Sequence, residues 1–291
     1  MAGRVGWHVA QTYHFDAAAD YSLVQLADLV TAAFHGYALP VNETPVRLAR
    51  LIRMQGLDLA NSVVIRSNSQ PVGISFLGLR NTRAWISAFG IIPAHRGRGL
   101  GRALMEKLIE QARGAGAQDV RLEVLVSNLA ARRVYTRCGF QKERELVTLE
   151  RSPWTALPPR STTVLVDQVD VQTAVRLAVE LEQTPACWQR EAPSLITGSA
   201  NGEIVRQGSR VIGCALHSTR DSAVALHHLC ARPDQVSAVI GAVLAHLVGA
   251  ATTAGRHVTL LNEPEVTGMV TALRSHGFRE TIRQVELRLE L

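Results

Sequence analysis

Two spacings of hydrophobic residues alternate along the first half of the chain. Leu104, Leu108 and Ala112 recur every four positions, which places them on one face of an amphipathic helix. Shorter apolar runs, such as residues 71–79, indicate buried strands. The predicted helices cover 21–33, 44–54, 100–113 and 129–137, and the predicted strands cover 62–67, 71–79, 84–92, 120–126 and 140–149. This order predicts an α/β domain built on a central sheet.

A proline-rich segment separates the first half of the chain from the second. Residues 152–161 contain three prolines and interrupt every periodic pattern, which is typical of a linker. At 291 residues, the chain is also longer than one hydrophobic core usually supports. We therefore predict one domain over residues 1–151, a linker over 152–161 and a second domain over 162–291.

Landmarks of the first half recur in the second half at a nearly constant offset. Three pairs share one offset: Gly73 with Gly213, Pro93 with Pro233 and Gly101 with Gly241. The offset from Gly139-Phe140 to Gly277-Phe278 is shorter by only two positions. We interpret the recurrence as a tandem repeat of one fold. The alternative is coincidence among common glycines.

The positive charge of the chain is concentrated in one segment. The net charge is +6, and residues 94–144 hold 11 basic and 5 acidic residues, whereas residues 151–291 hold 13 of each. A local excess of this kind suits a polyanionic ligand. Nucleic acid is one alternative on charge alone. Aromatic residues make up only 5% and do not interleave with the basic ones, however, so we expect no nucleic-acid partner.

The remaining composition indicates an ordinary globular protein. The start of the chain, from Met1 to Phe15, lacks the apolar run of a signal peptide. The most apolar stretch, 236–251, contains His246 and is too short to span a bilayer. The four cysteines show no pairwise motif, and the histidines show no metal-ligand spacing. We therefore expect a cytoplasmic protein with no membrane partner and no metal.

A glycine-rich loop between a predicted strand and a predicted helix is the strongest local motif. Its sequence runs from Arg96 to Ala103 as Arg-Gly-Arg-Gly-Leu-Gly-Arg-Ala. Glycines there let successive backbone N–H groups turn toward one point, and the helix N-terminus adds partial positive charge, so the loop can cradle a pyrophosphate. The loop is not a nucleotide P-loop, because it lacks Gly-Lys-Ser/Thr. It also departs from the dinucleotide fingerprint, because Arg102 stands where a third glycine is required.

The loop resembles the cofactor signature of the GNAT acetyltransferases, through Arg96-x-x-Gly99-x-Gly101. A second segment, Asn128-x-x-Ala131-x-x-x-Tyr135 followed by Gly139-Phe140, is similar to the second signature of that family. The resemblance is close over residues 60–150 and weak over 15–60. It implies two tandem GNAT-like domains, each a mixed central sheet flanked by helices, and it implies acetyl-CoA as the acetyl donor.

The resemblance also assigns roles to individual residues. Backbone groups near Ile91 and Ile92 would bind the pantetheine arm, and Asn128 would contact it. Tyr135 would lie near the thioester sulfur. The residues implied at the pyrophosphate are Arg96, Arg98, Gly99, Gly101, Arg102 and Ala103.

The chemistry of amide formation requires a base for the amine and an acid for the leaving thiolate. Tyr135 is the predicted acid. Many family members carry a carboxylate on the strand that precedes the loop, but residues 84–92 contain none. Glu123 is the alternative base, because residues 122–128 resemble the segment of bacterial enzymes that acetylate protein N-termini. A purely structural role for Glu123 stays open.

The second half lacks the residues that carry this chemistry. At the repeat offsets, Val236 and Val239 replace Arg96 and Gly99. Leu273 replaces Tyr135, and Val266 replaces Asn128. We therefore predict a degenerate second domain that is structural or that forms part of the acceptor pocket.

The sequence as a whole predicts an N-acetyltransferase that acts by direct transfer on a primary amine of a small molecule or a peptide N-terminus. Trp85, Phe89, Phe34 and Tyr37 are either core residues or walls of the acceptor pocket. A non-catalytic acyl-CoA sensor is the alternative function. The sequence does not give the oligomeric state, although exposed sheet edges are compatible with a homodimer.

Overall fold

A computed structural model describes residues 13–156, 162–182, 184–220, 223–248 and 257–291, so part of the predicted linker, 157–161, lies outside the described residues. The described helices are α1 (Leu23–Ala33), α2 (Pro45–Gln55), α3 (Leu100–Gly114), α4 (Leu129–Arg137), α5 (Val171–Leu181), α6 (Ala192–Gly198), α7 (Val236–Leu247) and α8 (Gly268–Ser275). The described strands are β1 (Tyr13–Ala17), β2 (Leu57–Ser67), β3 (Gln70–Arg80), β4 (Arg83–Ile91), β5 (Asp119–Leu125), β6 (Gln141–Arg151), β7 (Val164–Val169), β8 (Asn201–Gln207), β9 (Arg210–Arg220), β10 (Ala223–Ala231), β11 (His257–Pro264) and β12 (Phe278–Glu290).

The elements predicted for the first half are confirmed, with ends that differ by a few residues. The local sequence explains two of the helix ends. The side chain of Ser22 accepts a hydrogen bond from the backbone of Gln25, whose own side chain closes a capping box at the start of α1. Gly56 ends α2 in the left-handed conformation at φ 62°. The strand β1 was not predicted, because its five residues are only partly buried and pair along one edge with β2.

The strands form one continuous mixed sheet across both halves. Over the described residues its order is β1-β2-β3-β4-β5-β12-β6-β11-β10-β9-β8-β7. The last strand of each half therefore pairs with the other half: β12 lies antiparallel to β5, and β6 lies antiparallel to β11. The predicted α/β fold class is confirmed. The two predicted sheets are joined into one through this exchange of their final strands.

Helices cover both faces of the first half of this sheet. Leu104 and Leu108 of α3 pack against Ile86 and Leu122 on one face. Helix α1 and Leu48 of α2 pack on the other face in a separate cluster. Burying such side chains stabilises the fold by about 1.5–3 kcal/mol each. The second cluster also contains Trp188, which belongs to the second half of the chain.

The parallel strands β4 and β5 diverge soon after they meet. Their pairing runs from Arg83 opposite Asp119 to Trp85 opposite Arg121, and it ends there. A bulge in β4 follows, with Ala88 at a φ of 50°. Divergence leaves an open cleft between the carboxyl ends of the two strands, directly before the N-terminus of α3.

Candidate active site

The glycine-rich loop forms an open cradle at the start of α3. Gly97 and Gly99 have φ values of 75° and 83°, and a Cβ at either position would meet nothing within 4 Å. Ala103 donates the first helical hydrogen bond, to the carbonyl of Gly99 at 3.1 Å. The N–H groups of Leu100 and Gly101 precede that bond, so they have no acceptor within the helix. A glycine-rich helix N-terminus of this kind binds anions.

The arginines of the loop have different surroundings. Arg96 donates from Nε to the carbonyl of Ile91 at 2.9 Å and from Nη2 to Ala33 at 2.9 Å and His35 at 3.2 Å. Its side chain therefore ties α1 to the end of β4, and a direct contact with a cofactor stays a prediction. Arg102 is exposed and forms an ion pair with Glu106 at 2.7 Å.

The backbone at the end of β4 has one edge turned toward the cleft. The N–H of Ile92 donates to the carbonyl of Val72 on β3 at 2.9 Å. Because backbone groups alternate sides along a strand, the N–H of Ile91 points away from β3, toward the cleft. Of the two predicted pantetheine contacts, Ile91 is thus placed to offer its amide, whereas the amide of Ile92 is used within the sheet.

Aromatic rings line the side of the cleft nearest α4. Tyr135 is 5% exposed, and its ring meets Phe89 edge-on at 5.6 Å between centroids. Burial raises the pKa of Tyr135 above its usual value, and the nearby phenol of Tyr37 adds to this effect. Asn128 caps α4 by accepting a hydrogen bond from Ala131 at 3.1 Å, and it lies near enough to Tyr37 to lower the pKa of that phenol, which burial raises. The structure thus places Tyr37 near both Asn128 and Tyr135.

Glu123 lies on β5 at the inner end of the cleft, where β4 and β5 begin to diverge. Its Oε2 accepts a hydrogen bond from the indole of Trp85 at 2.8 Å and a second from the amide of Gln189 at 3.1 Å. Its Oε1 is inaccessible to solvent and has no hydrogen-bond partner among the described residues. One carboxylate oxygen is thus fixed, while the other is unused by the protein.

The surroundings of Glu123 raise its pKa to about 7. Burial is the largest cause, and the negative charge of Glu286 adds to it. The hydrogen bonds from Trp85 and Gln189 and the charge of Arg144 act in the opposite direction. A carboxylate with a pKa near neutrality is suited to general base catalysis.

Three residues around Glu123 come from the second half and were missed by the sequence analysis. Trp188 stacks on Trp85 with centroids 5.9 Å apart and planes at 10°. Gln189 bonds Glu123, and Glu286 lies directly opposite it in the register of β5 and β12. No local sequence pattern predicts these contacts. Gln189 is distant from Glu123 in the sequence, and Glu286 lies beside Glu123 only because of the strand exchange.

The equivalent position of the second half has different chemistry. Glu263 is the equivalent of Glu123, because the offset that relates Gly73 to Gly213 also relates these two residues. Glu263 forms a buried ion pair with Arg190. Helix α7 begins at Val236 without a glycine cradle. A cavity of about 420 Å³ lies beside these residues and is also lined by His228 and Thr267.

Within the described part of the chain, no group of three or more His, Cys, Asp or Glu side chains is arranged to hold a metal ion. No helix among the described residues is long and apolar enough to cross a bilayer.

Comparison with known proteins connects this geometry with an acetyltransferase family. Residues 24–140 match the model of the Acetyltransferase (GNAT) family. The chain is 41% identical over 71 residues to the N-alpha-acetyltransferase RimI of Mycobacterium tuberculosis, a match that covers 24% of this chain and 43% of that protein. It is 42% identical over 60 residues to a streptothricin acetyltransferase of Streptomyces lavendulae, a match that covers 21% of this chain and 32% of that protein. The chain thus spans less than half the length of these curated relatives.

Similarity of the fold extends over nearly the whole chain. A solved tandem GNAT protein from the clavulanic acid biosynthesis pathway superposes with a TM-score of 0.68 at 17% sequence identity, covering 96% of this chain and 98% of that one. Both halves and their order are therefore shared at the level of fold.

Proposed function

We propose that this chain, which carries a GNAT-family domain in its first half and has the fold of a tandem GNAT protein, is an acetyl-CoA-dependent N-acetyltransferase. Its acceptor is a primary amine of a small molecule or a peptide N-terminus, and the acetyl group moves directly to the amine. One observation carries the proposal: Glu123, with a pKa of about 7 and one unused oxygen, stands at the inner end of the cleft between β4 and β5, and this cleft leads to a glycine-rich helix N-terminus.

The residues of the loop fit a pyrophosphate-bearing cofactor. Open space around Gly97 and Gly99 permits close approach of a bulky anion. The first backbone N–H groups of α3 can donate hydrogen bonds to this anion. Ile91 offers a strand amide to an extended chain in the cleft. Acetyl-CoA would supply the thioester-activated acetyl group at this place.

Glu123 is the proposed general base. An alkylamine is protonated at neutral pH, so a proton must leave before its nitrogen can attack a carbonyl carbon. Glu123 accepts this proton at Oε1, directly or through a water molecule, while Oε2 stays bonded to Trp85 and Gln189. Because its pKa is about 7, a large fraction is charged at physiological pH and able to accept a proton.

Tyr135 is the proposed donor to the leaving sulfur. The buried phenol is protonated at neutral pH, so its hydroxyl can donate a hydrogen bond when negative charge develops on the sulfur. The hydroxyl of Tyr37 lies close enough to influence that phenol.

A screen for acetyl transfer tests this function. Purified protein is mixed with acetyl-CoA and with a panel of small amines and of peptides with free N-termini, and both thiol release and the acetylated product are measured by mass spectrometry. Acetylated product from at least one class, lost in Glu123→Gln, would support the proposal. Binding of acetyl-CoA without transfer to any acceptor would indicate the alternative sensor function instead.

A further inference from the structure

The carboxylate of Glu123 is held by a turn from the second half of the chain. Gln189 is the middle residue of a short helical turn, Trp188–Arg190, and it donates from Nε2 to Oε2 of Glu123 at 3.1 Å. The turn is firmly anchored on the first half. Trp188 is 2% exposed, stacks on Trp85 and donates from its indole to the carbonyl of Gln55 at 2.9 Å.

Two arginines of the first half secure the same turn. Arg80 donates to the carbonyl of Trp188 at 2.8 Å, and its guanidinium carbon lies 4.0 Å from the centre of the Trp188 ring. Both Arg80 and Arg83 form ion pairs with Glu191, at 2.9 and 2.6 Å. The position of Gln189 is therefore set by packing and by partly buried ion pairs, so it is not an incidental surface contact.

A second carboxylate reaches Glu123 through the exchanged strand. Glu286 of β12 is directly opposite Glu123 of β5, and it is only 1% exposed. Burial raises the pKa of Glu286, but Arg144 of β6 donates to it at 2.5 Å and favours its charged form. Without the exchange, a different strand would lie beside β5, and neither Glu286 nor this charge would be present there.

These two residues act on Glu123 in opposite directions. A hydrogen bond to the charged carboxylate favours ionisation, whereas a neighbouring negative charge opposes it. The other charged or titratable groups that face Glu123 are Arg144 and the buried thiol of Cys187. The balance of a donor and a like charge is a usual way to bring a carboxyl group to the pH at which an enzyme works.

We propose that Gln189 and Glu286 are positioning residues for the first-half active site: Gln189 fixes the orientation of the Glu123 carboxylate, and Glu286 makes that carboxylate a better proton acceptor. The inference rests on the proposed role of Glu123 as the base. This role gives the degenerate second half a defined task, because the second half supplies two residues of a site that the first half cannot complete alone.

The test titrates Glu123 itself in the resting protein, without acetyl-CoA or acceptor. Carbon-13 NMR of glutamate-labelled protein follows its carboxyl signal, which is assigned by its loss in Glu123→Gln. We expect Gln189→Leu to raise the pKa of Glu123 and Glu286→Gln to lower it, each by roughly one pH unit. Glu286→Asp, which keeps the charge, should stay near the wild-type value.

Matched controls lie on exposed positions of the same half. Gln172→Leu on α5 and Glu290→Gln on β12 make the same chemical changes away from Glu123 and should leave its titration unchanged. If Glu286→Gln does not fold, the Gln189→Leu shift decides the question. Equal titration of Glu123 in wild type and Gln189→Leu would overturn the inference.

A kinetic measurement connects the titration with catalysis. In the active enzyme, the acidic limb of kcat/KM against pH should move upward in Gln189→Leu and downward in Glu286→Gln, with KM for acetyl-CoA unchanged. Shifted titrations in a protein that transfers no acetyl group would contradict the proposed function but not the contacts. Unshifted titrations in an active enzyme would contradict only the positioning role.

Discussion

The indole of Trp85 on β4 donates a hydrogen bond to the carboxylate of Glu123 on β5, at 2.8 Å. The bond joins the two strands where their pairing ends, because Trp85 is the last residue of β4 in register with β5. It thus closes the inner end of the cleft and fixes the proposed base there. The stacked ring of Trp188 covers the same indole from the second half.

Replacing Trp85 by Phe should make Glu123 a weaker acid. Loss of a donor to the charged carboxylate raises its pKa, so a smaller fraction of the base is charged at pH 7. We expect the acidic limb of kcat/KM to move to higher pH by up to about one unit. Trp154→Phe, at an 83% exposed position, is the control and should leave the pH profile unchanged.

The replacement Glu123→Gln should remove the base and its pH dependence together. General base catalysis typically contributes about 10² to 10⁴ in rate, so we expect kcat to fall within that range. The residual activity should no longer rise near pH 7. Retention of more than half of the wild-type kcat with an unchanged pH profile would assign the base to another residue.

Stability measurements provide a separate test of the raised pKa of Glu123. Its folded pKa of about 7 lies above the usual value of 4.5, so folding favours the protonated form. The contribution of Glu123 to the free energy of unfolding therefore declines as pH rises from 4.5 to about 7. Glu123→Gln should lose this decline, and denaturant titrations at low and high pH would reveal the difference.

The variant Tyr135→Phe should separate catalysis from binding. The ring packing against Phe89 and Phe140 is kept, while the hydroxyl is lost. We expect kcat to fall about 10²-fold and the affinity for acetyl-CoA to change little. Calorimetry and steady-state kinetics on the same preparation check both parts. An unchanged kcat would show that the phenol has no part in the reaction.

Much of the first half could be predicted from its sequence because the signals there are local. The glycines at positions 97 and 99, the helical periodicity after Leu100 and the motif through Tyr135 each lie within a short consecutive stretch of the chain. The left-handed conformations of Gly97 and Gly99 agree with the predicted cradle.

Other features depend on contacts between distant parts of the chain. The exchange of β6 and β12 could not be predicted, since each strand has the same alternation whichever neighbour it pairs with. Gln189 lies in a segment with no periodic pattern, so its bond to Glu123 is a consequence of packing around Trp188. Arg96 was predicted from a signature, which does not reveal that its side chain reaches the carbonyl of Ala33 at the end of α1.

Calorimetric titration with acetyl-CoA shows directly whether the glycine-rich cradle at the start of α3 binds the cofactor. It compares wild type with the double variant Arg98→Glu, Gly99→Val, which adds negative charge and a side chain that φ 83° disfavours. The control is Arg113→Glu, Gly114→Val at the exposed far end of α3. We predict one site per chain in wild type and control, and none in the cradle variant. Absence of binding to wild type, or two sites per chain, would contradict binding of acetyl-CoA at a single site in the first half.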